Sequence, residues 1–276
     1  MKSCIKQTLF ALLFSISHFI SSQSYGQTLD TVLAFNEGER LEYYASYNWG
    51  PIWITAGDVS FEIKSKNKNE FLFYSEGRSR TKYDWIYKIR DYYTSTASKN
   101  NLSPSYFYRN TNEGDNWVRN KYFFYHKKQI IKSELISNKK PFKRDSIQRL
   151  KKGTLDVLTA VYYARSIEFK NKKIGTKIPF RLIIDNKIHD LFVKYRGIEN
   201  IKTRSGKVFR CYKFTALLVK GTIFKGGEDL DVWISCDRNR IPIQVSAKII
   251  VGSVKAQIKN ISNLKYPIES EVKPKK

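Results

Sequence analysis

Histidine, cysteine and methionine are scarce: the 276 residues hold three His, three Cys and one Met. So few imidazoles argue against a multi-histidine metal centre, and neither a metal nor another cofactor is expected. Three cysteines cannot staple a disulfide-dense scaffold. Acids are under-supplied too, 25 against 50 Lys and Arg, for a net charge of +25 and a pI near 9.8. A Gly-rich phosphate loop, a Gly-x-Ser-x-Gly elbow and a Cys/His pairing motif are all missing. What is present excludes disorder: 41% of residues are hydrophobic and 14% aromatic, with 18 Tyr and 17 Phe. That is material for one sizeable core.

The first residues set an expectation about compartment. Lys2 and Lys6 precede an apolar run, Leu9 to Ile20, followed by small and polar residues to Gly26. This is the layout of a secretory signal peptide, with Ser24 and Gly26 at the −3 and −1 positions. The run is too short for a bilayer, which takes about 20 apolar residues. Cleavage after residue 26 removes two lysines and no acid, taking the charge from +25 to +23. The expected product is periplasmic or secreted and not integral to a membrane. A single domain over residues 27–268 and a frayed polar tail over 269–276 complete the layout.

Most of the remaining chain alternates with period two. Leu41, Tyr43, Ala45 and Tyr47 define one strand; Val59, Phe61 and Ile63 define the next, with Gly57 as a bulge position. Further strands are read at 71–83, 85–93, 106–109, 117–126 and 130–136. In the second half they fall at 181–184, 191–195, 208–218, 230–236, 241–251 and 254–258. Roughly a dozen strands with short turns specify a mainly β fold, an antiparallel barrel or a curved half-barrel or sandwich.

One segment, Thr154 to Ser166, reads as a helix. Thr154 can cap it and Asp156 suits its first turn. Leu155, Leu158, Tyr162 and Arg165 share one face, and Val157, Val161 and Ala164 form a second apolar face. Such a helix either covers a barrel mouth or packs across a sheet beneath a loop.

Charge is concentrated just before that helix. Residues 127–152 carry ten Lys or Arg and two acids. Lys139, Lys140, Lys143 and Arg144 are candidate contacts for an anionic surface, lipid or polysaccharide. The alternative is an ordinary solvated loop. Nucleic acid is not expected for an exported chain without a nucleic-acid motif.

The strands at 208–218 and 230–236 flank a Gly-rich loop. A hairpin centred near 223 and 224 brings Cys211 opposite Cys236, close enough to bridge. Two buried reduced thiols are the alternative. His126 and His189 sit on strand ends and read as solvated side chains. Paired acids for glycan chemistry would have to come from Asp84, Asp91, Asp156 or Glu199, which no motif brings together.

Four stretches, taken in order, resemble a known family: Gly38 to Tyr43 with Ala56-Gly57; Asp156 to Arg165; Gly197-Ile198-Glu199 with Thr203 to Gly206; and Val232 to Ser235 with Asp237, Arg240 to Ile243 and Val251 to Val254. Over about Phe35 to Ile261 the chain is similar to the domain of unknown function 3108 family of exported bacterial proteins. A Ser-Asp or Thr-Asp pair is usual in that family after the tryptophan strand, and here Cys236 intervenes before Asp237. The resemblance implies an envelope location and a β-rich fold but transfers no catalytic residue. Within these motifs Tyr162, Arg165 and Trp233 are the candidate ligand-facing residues, against a core role for the two aromatics. Arg165, on an apolar helix face, must snorkel, pair with an acid such as Glu199 or Asp237, or meet an anionic ligand.

The leading expectation is a non-enzymatic binding protein for an amphipathic or anionic envelope component, lipid or glycan. A structural protein that meets a protein partner comes second, and a glycan- or lipid-acting enzyme third.

Overall fold

A computed structural model of the chain describes residues 33–49, 52–138, 142–218, 227–248 and 252–273. The stretch read as a signal peptide lies outside the described residues, as do Lys139 and Lys140. The described chain is mainly β. Fifteen strands form one sheet: β1 (Arg40–Trp49), β2 (Ile52–Ser65), β3 (Glu70–Ser79), β4 (Arg90–Ser98), β5 (Pro104–Glu113), β6 (Asn116–Tyr125), β7 (Ile130–Ser137) and β8 (Phe142–Arg149), then the two-residue β9 (Thr154–Leu155), β10 (Lys177–Ile184), β11 (Lys187–Lys202), β12 (Val208–Leu218), β13 (Gly227–Ser235), β14 (Pro242–Lys248) and β15 (Ser253–Ser262). One α-helix, α1 (Val157–Arg165), interrupts them.

The sheet is a meander whose two halves join through β1 and β15. Its order runs β8 back to β1, then β15 down to β9. Pairing is antiparallel throughout except between β9 and β10. The ladder is not closed, because β8 and β9 are its edges.

Side chains connect the two halves where backbone pairing does not. Asp185 and Asn186 form a two-residue hairpin turn between β10 and β11, both with positive φ, 44° and 63°. Asp and Asn tolerate that conformation better than other non-glycine residues. The turn reaches the other half of the sheet. Arg109 on β5 pairs with the Asp185 carboxylate at 2.8 Å. The Asn186 amide donates to the Tyr122 hydroxyl on β6, and Gln148 on edge strand β8 donates to the Asn186 carbonyl, each at 3.2 Å. A curved sheet is thereby drawn towards a barrel.

Alternation sets the inner face. On β4, Asp91, Tyr93, Ser95 and Ala97 are buried, alternating with half-buried Tyr92 and Thr94, and Thr96 is buried as well. Helix α1 packs on this face. Asp156 is its N-cap, accepting the amides of Leu158 and Thr159 at 2.9 Å each. The expected start at Thr154 is therefore corrected. Thr154 belongs to β9, and its hydroxyl donates to the Lys151 carbonyl, so it cannot cap. Tyr162 stacks on Phe73 of β3 with ring centres 4.0 Å apart.

Three further expectations change. The extra residue of the β1–β2 bulge is Ala56, beside Gly57. Gly57 is needed for close approach, since a Cβ there would lie 2.6 Å from the Arg78 carbonyl oxygen. Residues 269–273 are not a frayed tail: Ser270 is buried and bonded to Asp237, and the Val272 amide donates to Val208. The basic stretch is largely the edge hairpin β7–β8, where Lys143 and Arg144 are exposed. Charge on an edge strand discourages pairing with another chain.

Candidate functional site

A cavity of about 280 Å³ lies between α1 and the inner face of the sheet. Val161 and Ala164 of the helix meet Val59, Val193, Ile234 and Val245 of the strands across it. The second apolar face of α1, which the sequence singled out, borders this space, and so do residues of the first face. Leu158, Tyr162 and Arg165 of the first face are buried in the core and also reach the cavity wall.

The electrostatics of the wall are quiet. Arg165 lines the cavity, yet its guanidinium is already satisfied. It makes a two-pronged ion pair with Glu39, at 2.5 and 2.8 Å, and donates to the Asn239 carbonyl at 2.9 Å. Both side chains are about 1% exposed. The pairing of Arg165 with an acid is thus observed, but the acid is Glu39. Asp237 instead orders the turn after β13, accepting from Ser235, Asn239 and Arg240. Arg165 is accordingly not available as a charged ligand contact.

Tyr162 also lines the cavity, and its buried hydroxyl has no hydrogen-bond partner among the described residues. Burial holds that hydroxyl well above its ordinary pKa, so it stays neutral. Trp233 does not line the cavity. Its indole donates to Glu199 at 2.7 Å, and the Lys213 ammonium sits 5.0 Å over its ring. Trp233 belongs to a core cluster with Phe209, Cys211 and Ile243, none of which lines the cavity. Its expected ligand-facing role is corrected to a packing one.

The cysteine pairing is corrected as well. Cys211 faces Ser235, one residue short of the expected partner, and both thiols are free. The Cys236 amide instead donates to the Arg210 carbonyl. A one-residue slip turns facing side chains to opposite sides of a ladder.

Three of the four acids weighed as a converging set are engaged with partners of their own. Asp84 pairs with Arg90 at 2.6 Å, Asp156 caps α1, and Glu199 holds Trp233 and Lys213. Asp91 is buried on β4, and burial together with Glu113 pushes its carboxyl up to about 8. Among the described residues no three His, Cys, Asp or Glu side chains gather as a metal site.

A protein-family model described as protein of unknown function (DUF3108) matches residues 42–259. The chain belongs to the DUF3108 family. The match covers the strands and α1 that enclose the cavity, so the DUF3108 domain and the described β fold are nearly coextensive. Among solved structures, the DUF3108 chain is similar to a beta-barrel-like protein of domain of unknown function DUF1849 from Brucella abortus. The TM-score is 0.53 at 10% identity, over 83% of this chain and 98% of that one. At such identity the likeness bears on fold alone, and the fold agrees: a barrel-like sheet. No curated protein matches the chain.

Proposed function

We propose that this DUF3108 chain is an exported, non-enzymatic binding protein that holds the apolar part of an amphipathic envelope component, a lipid in preference to a glycan. The observation that carries the reading is the apolar cavity of about 280 Å³ under α1. It is nearly twice the ~150 Å³ cavity that admits benzene, and just under the ~300–1,000 Å³ of ordinary small-molecule sites. A single alkyl chain suits that size. The one buried cation in its wall is already neutralised by Glu39, which favours an uncharged occupant over an anion at that point. The engagement of Asp84 with Arg90, of Asp156 as a helix cap and of Glu199 with Trp233 and Lys213 supports a role without catalysis by those acids. Export rests on the pattern of Lys2, Lys6 and the run from Leu9 to Ile20.

Native mass spectrometry of protein purified from its own envelope tests the reading, together with displacement of a fluorescent fatty-acid probe. Lipid-sized adducts and competition by alkyl chains are expected. A bare mass with no probe binding overturns the reading. A second reading, contact with a protein partner, is favoured by Ile136 and Ile147, which are 43% and 68% exposed on the edge hairpin.

A further inference from the structure

The outer face of the sheet carries an aromatic and cationic strip centred on β1. Tyr44, Ser46 and Asn48 point the same way, with Asp58, Thr55 and Trp53 opposite on β2. Gln257 and Lys255 lie opposite Tyr44 and Ser46 on β15. Three cations surround the Tyr44 ring: Arg204 and Lys259 at 5.3 Å and Arg80 at 5.6 Å. The Lys255 ammonium lies 4.0 Å over the Trp53 ring. Arg78 faces Asp58 from β3. Asp58, the acid at its centre, pairs with Arg80 and Lys259 at 3.1 Å each, and Glu42, two residues before Tyr44, pairs with Arg40 at 2.9 Å. Five cations against Asp58 and the neighbouring Glu42 and Glu76 leave a net positive face.

At the end of this strip the surface turns apolar. Ile52 and Trp53 are 64% and 42% exposed at the start of β2. The loop that leaves β3 at the same end carries Trp85 and Ile86, 83% and 46% exposed. Ser46 and Lys255, towards that end of β1 and β15, also contribute to the cavity lining.

We infer that this end of the molecule docks on an anionic lipid bilayer, with Ile52, Trp53, Trp85 and Ile86 entering the headgroup region and Arg78, Arg80, Arg204, Lys255 and Lys259 meeting lipid phosphates. Tryptophan prefers the membrane interface, and basic side chains beside it gain from anionic headgroups. Tyrosine and tryptophan beside cations would equally suit an acidic glycan. The exposed isoleucines decide for lipid, because an aliphatic side chain gains from acyl chains and has no sugar face to stack on. Docking goes beyond the cavity reading and does not need an occupied cavity.

The test is co-sedimentation of the purified protein with phosphatidylcholine vesicles, with and without phosphatidylglycerol, and retention on a soluble anionic polysaccharide. Binding only to the phosphatidylglycerol vesicles is expected, with a tryptophan blue shift and a loss in high salt. Each neutralised cation should weaken it about fivefold. Arg204→Glu with Lys259→Glu, and separately Ile52→Ser with Trp53→Ser, should each lower retention at least about tenfold while circular dichroism stays native. Lys143→Glu with Arg144→Glu, on the edge hairpin, should have much less effect. Retention on polysaccharide but not vesicles overturns the proposal. So does vesicle binding that the edge-hairpin pair abolishes and the strip variants leave intact. Probe displacement without vesicles reports the cavity separately, so either reading can fail alone.

Discussion

Arg165 and Glu39 form a fully enclosed, two-pronged ion pair between the last turn of α1 and the residue that enters β1. It ties the helix to the strand at which the two halves of the meander join. Phe35 and Tyr162 flank the guanidinium, 5.2 and 5.7 Å from it. A buried pair of this kind is costly to break on one side, because the surviving charge keeps its burial and loses its partner.

Glu39→Ala should therefore lower stability by about 3–5 kcal/mol, read as a shift in the urea midpoint. The double variant Glu39→Leu with Arg165→Met should recover most of that loss, since it leaves no orphan charge. A Glu39→Ala protein of unchanged midpoint would remove the ion pair from the account of how α1 is fixed.

Asp91 gives the fold a measurable pH dependence. Its carboxyl has an ordinary value of 3.8 and sits at about 8 when folded, raised first by burial and then by Glu113. Between those values the folded chain keeps a proton that the unfolded chain has released. Its contribution is thus fully favourable in acid and is lost as pH rises, by at most about 1.4 kcal/mol per pH unit. Asp91→Asn keeps an acceptor for the Asn112 amide, now bonded at 2.9 Å, and removes the titration. The variant should be the more stable protein at pH 7 to 8 and should lose the difference near pH 4. Parallel stability curves for the two proteins would refute the assignment.

The helix cap is a third point of leverage. Beyond the two backbone amides, Asp156 accepts hydroxyls from Ser95 and Thr159, both at 2.7 Å. Asp156→Ala should cost about 2 kcal/mol or more, the upper end for an N-cap, because two buried hydroxyls lose their acceptor as well. Asp156→Asn, which retains a carbonyl oxygen, should cost clearly less. Thr154→Ala should be milder than Asp156→Ala, and a reversed order in thermal melts would restore the earlier helix start.

The strands were legible wherever large apolar residues alternate, as in Leu41-Tyr43-Ala45 or Val59-Phe61-Ile63. They were not where the interior is small and polar. β4 was expected to end at Tyr93 and instead continues to Ser98, because Ser95 turns inward to bond Asp156 and Thr159 rather than to fill volume. β8 was hidden inside a basic stretch, since an edge strand is selected for charge more than for burial. The two-faced helix was visible in its spacing. The partner of Arg165 was not, because Glu39 lies 126 positions away and comes near through the junction of the two halves at β1 and β15. Glu39 did stand in the Gly38-Glu39-Arg40 motif, but with Glu37 and Glu42 close by, nothing in the sequence marked it as the buried acid.

Filling the cavity separates ligand binding from folding. Ala256 on β15 is half-buried and lines the space. Ala256→Phe should weaken a fluorescent fatty-acid probe at least about tenfold by occupying its volume, with a melting temperature within a few degrees of the parent. Equal probe affinity in parent and variant would place the probe elsewhere.

The two cysteines should behave as independent thiols of unequal reach. Cys211 is buried and its thiol is pushed far up by desolvation, whereas Cys236 is half-buried and sits at about 11. Thiolate is the reacting species, so both react slowly at neutral pH. Cys236 should take up an alkylating reagent in the native protein and Cys211 only after denaturation. Mapping of non-reduced peptides should return two unbridged cysteines. A Cys211–Cys236 linked peptide would mean that the β12–β13 ladder runs one residue away from the Cys211–Ser235 register, and would move Trp233 from the Glu199 side of the sheet to the other.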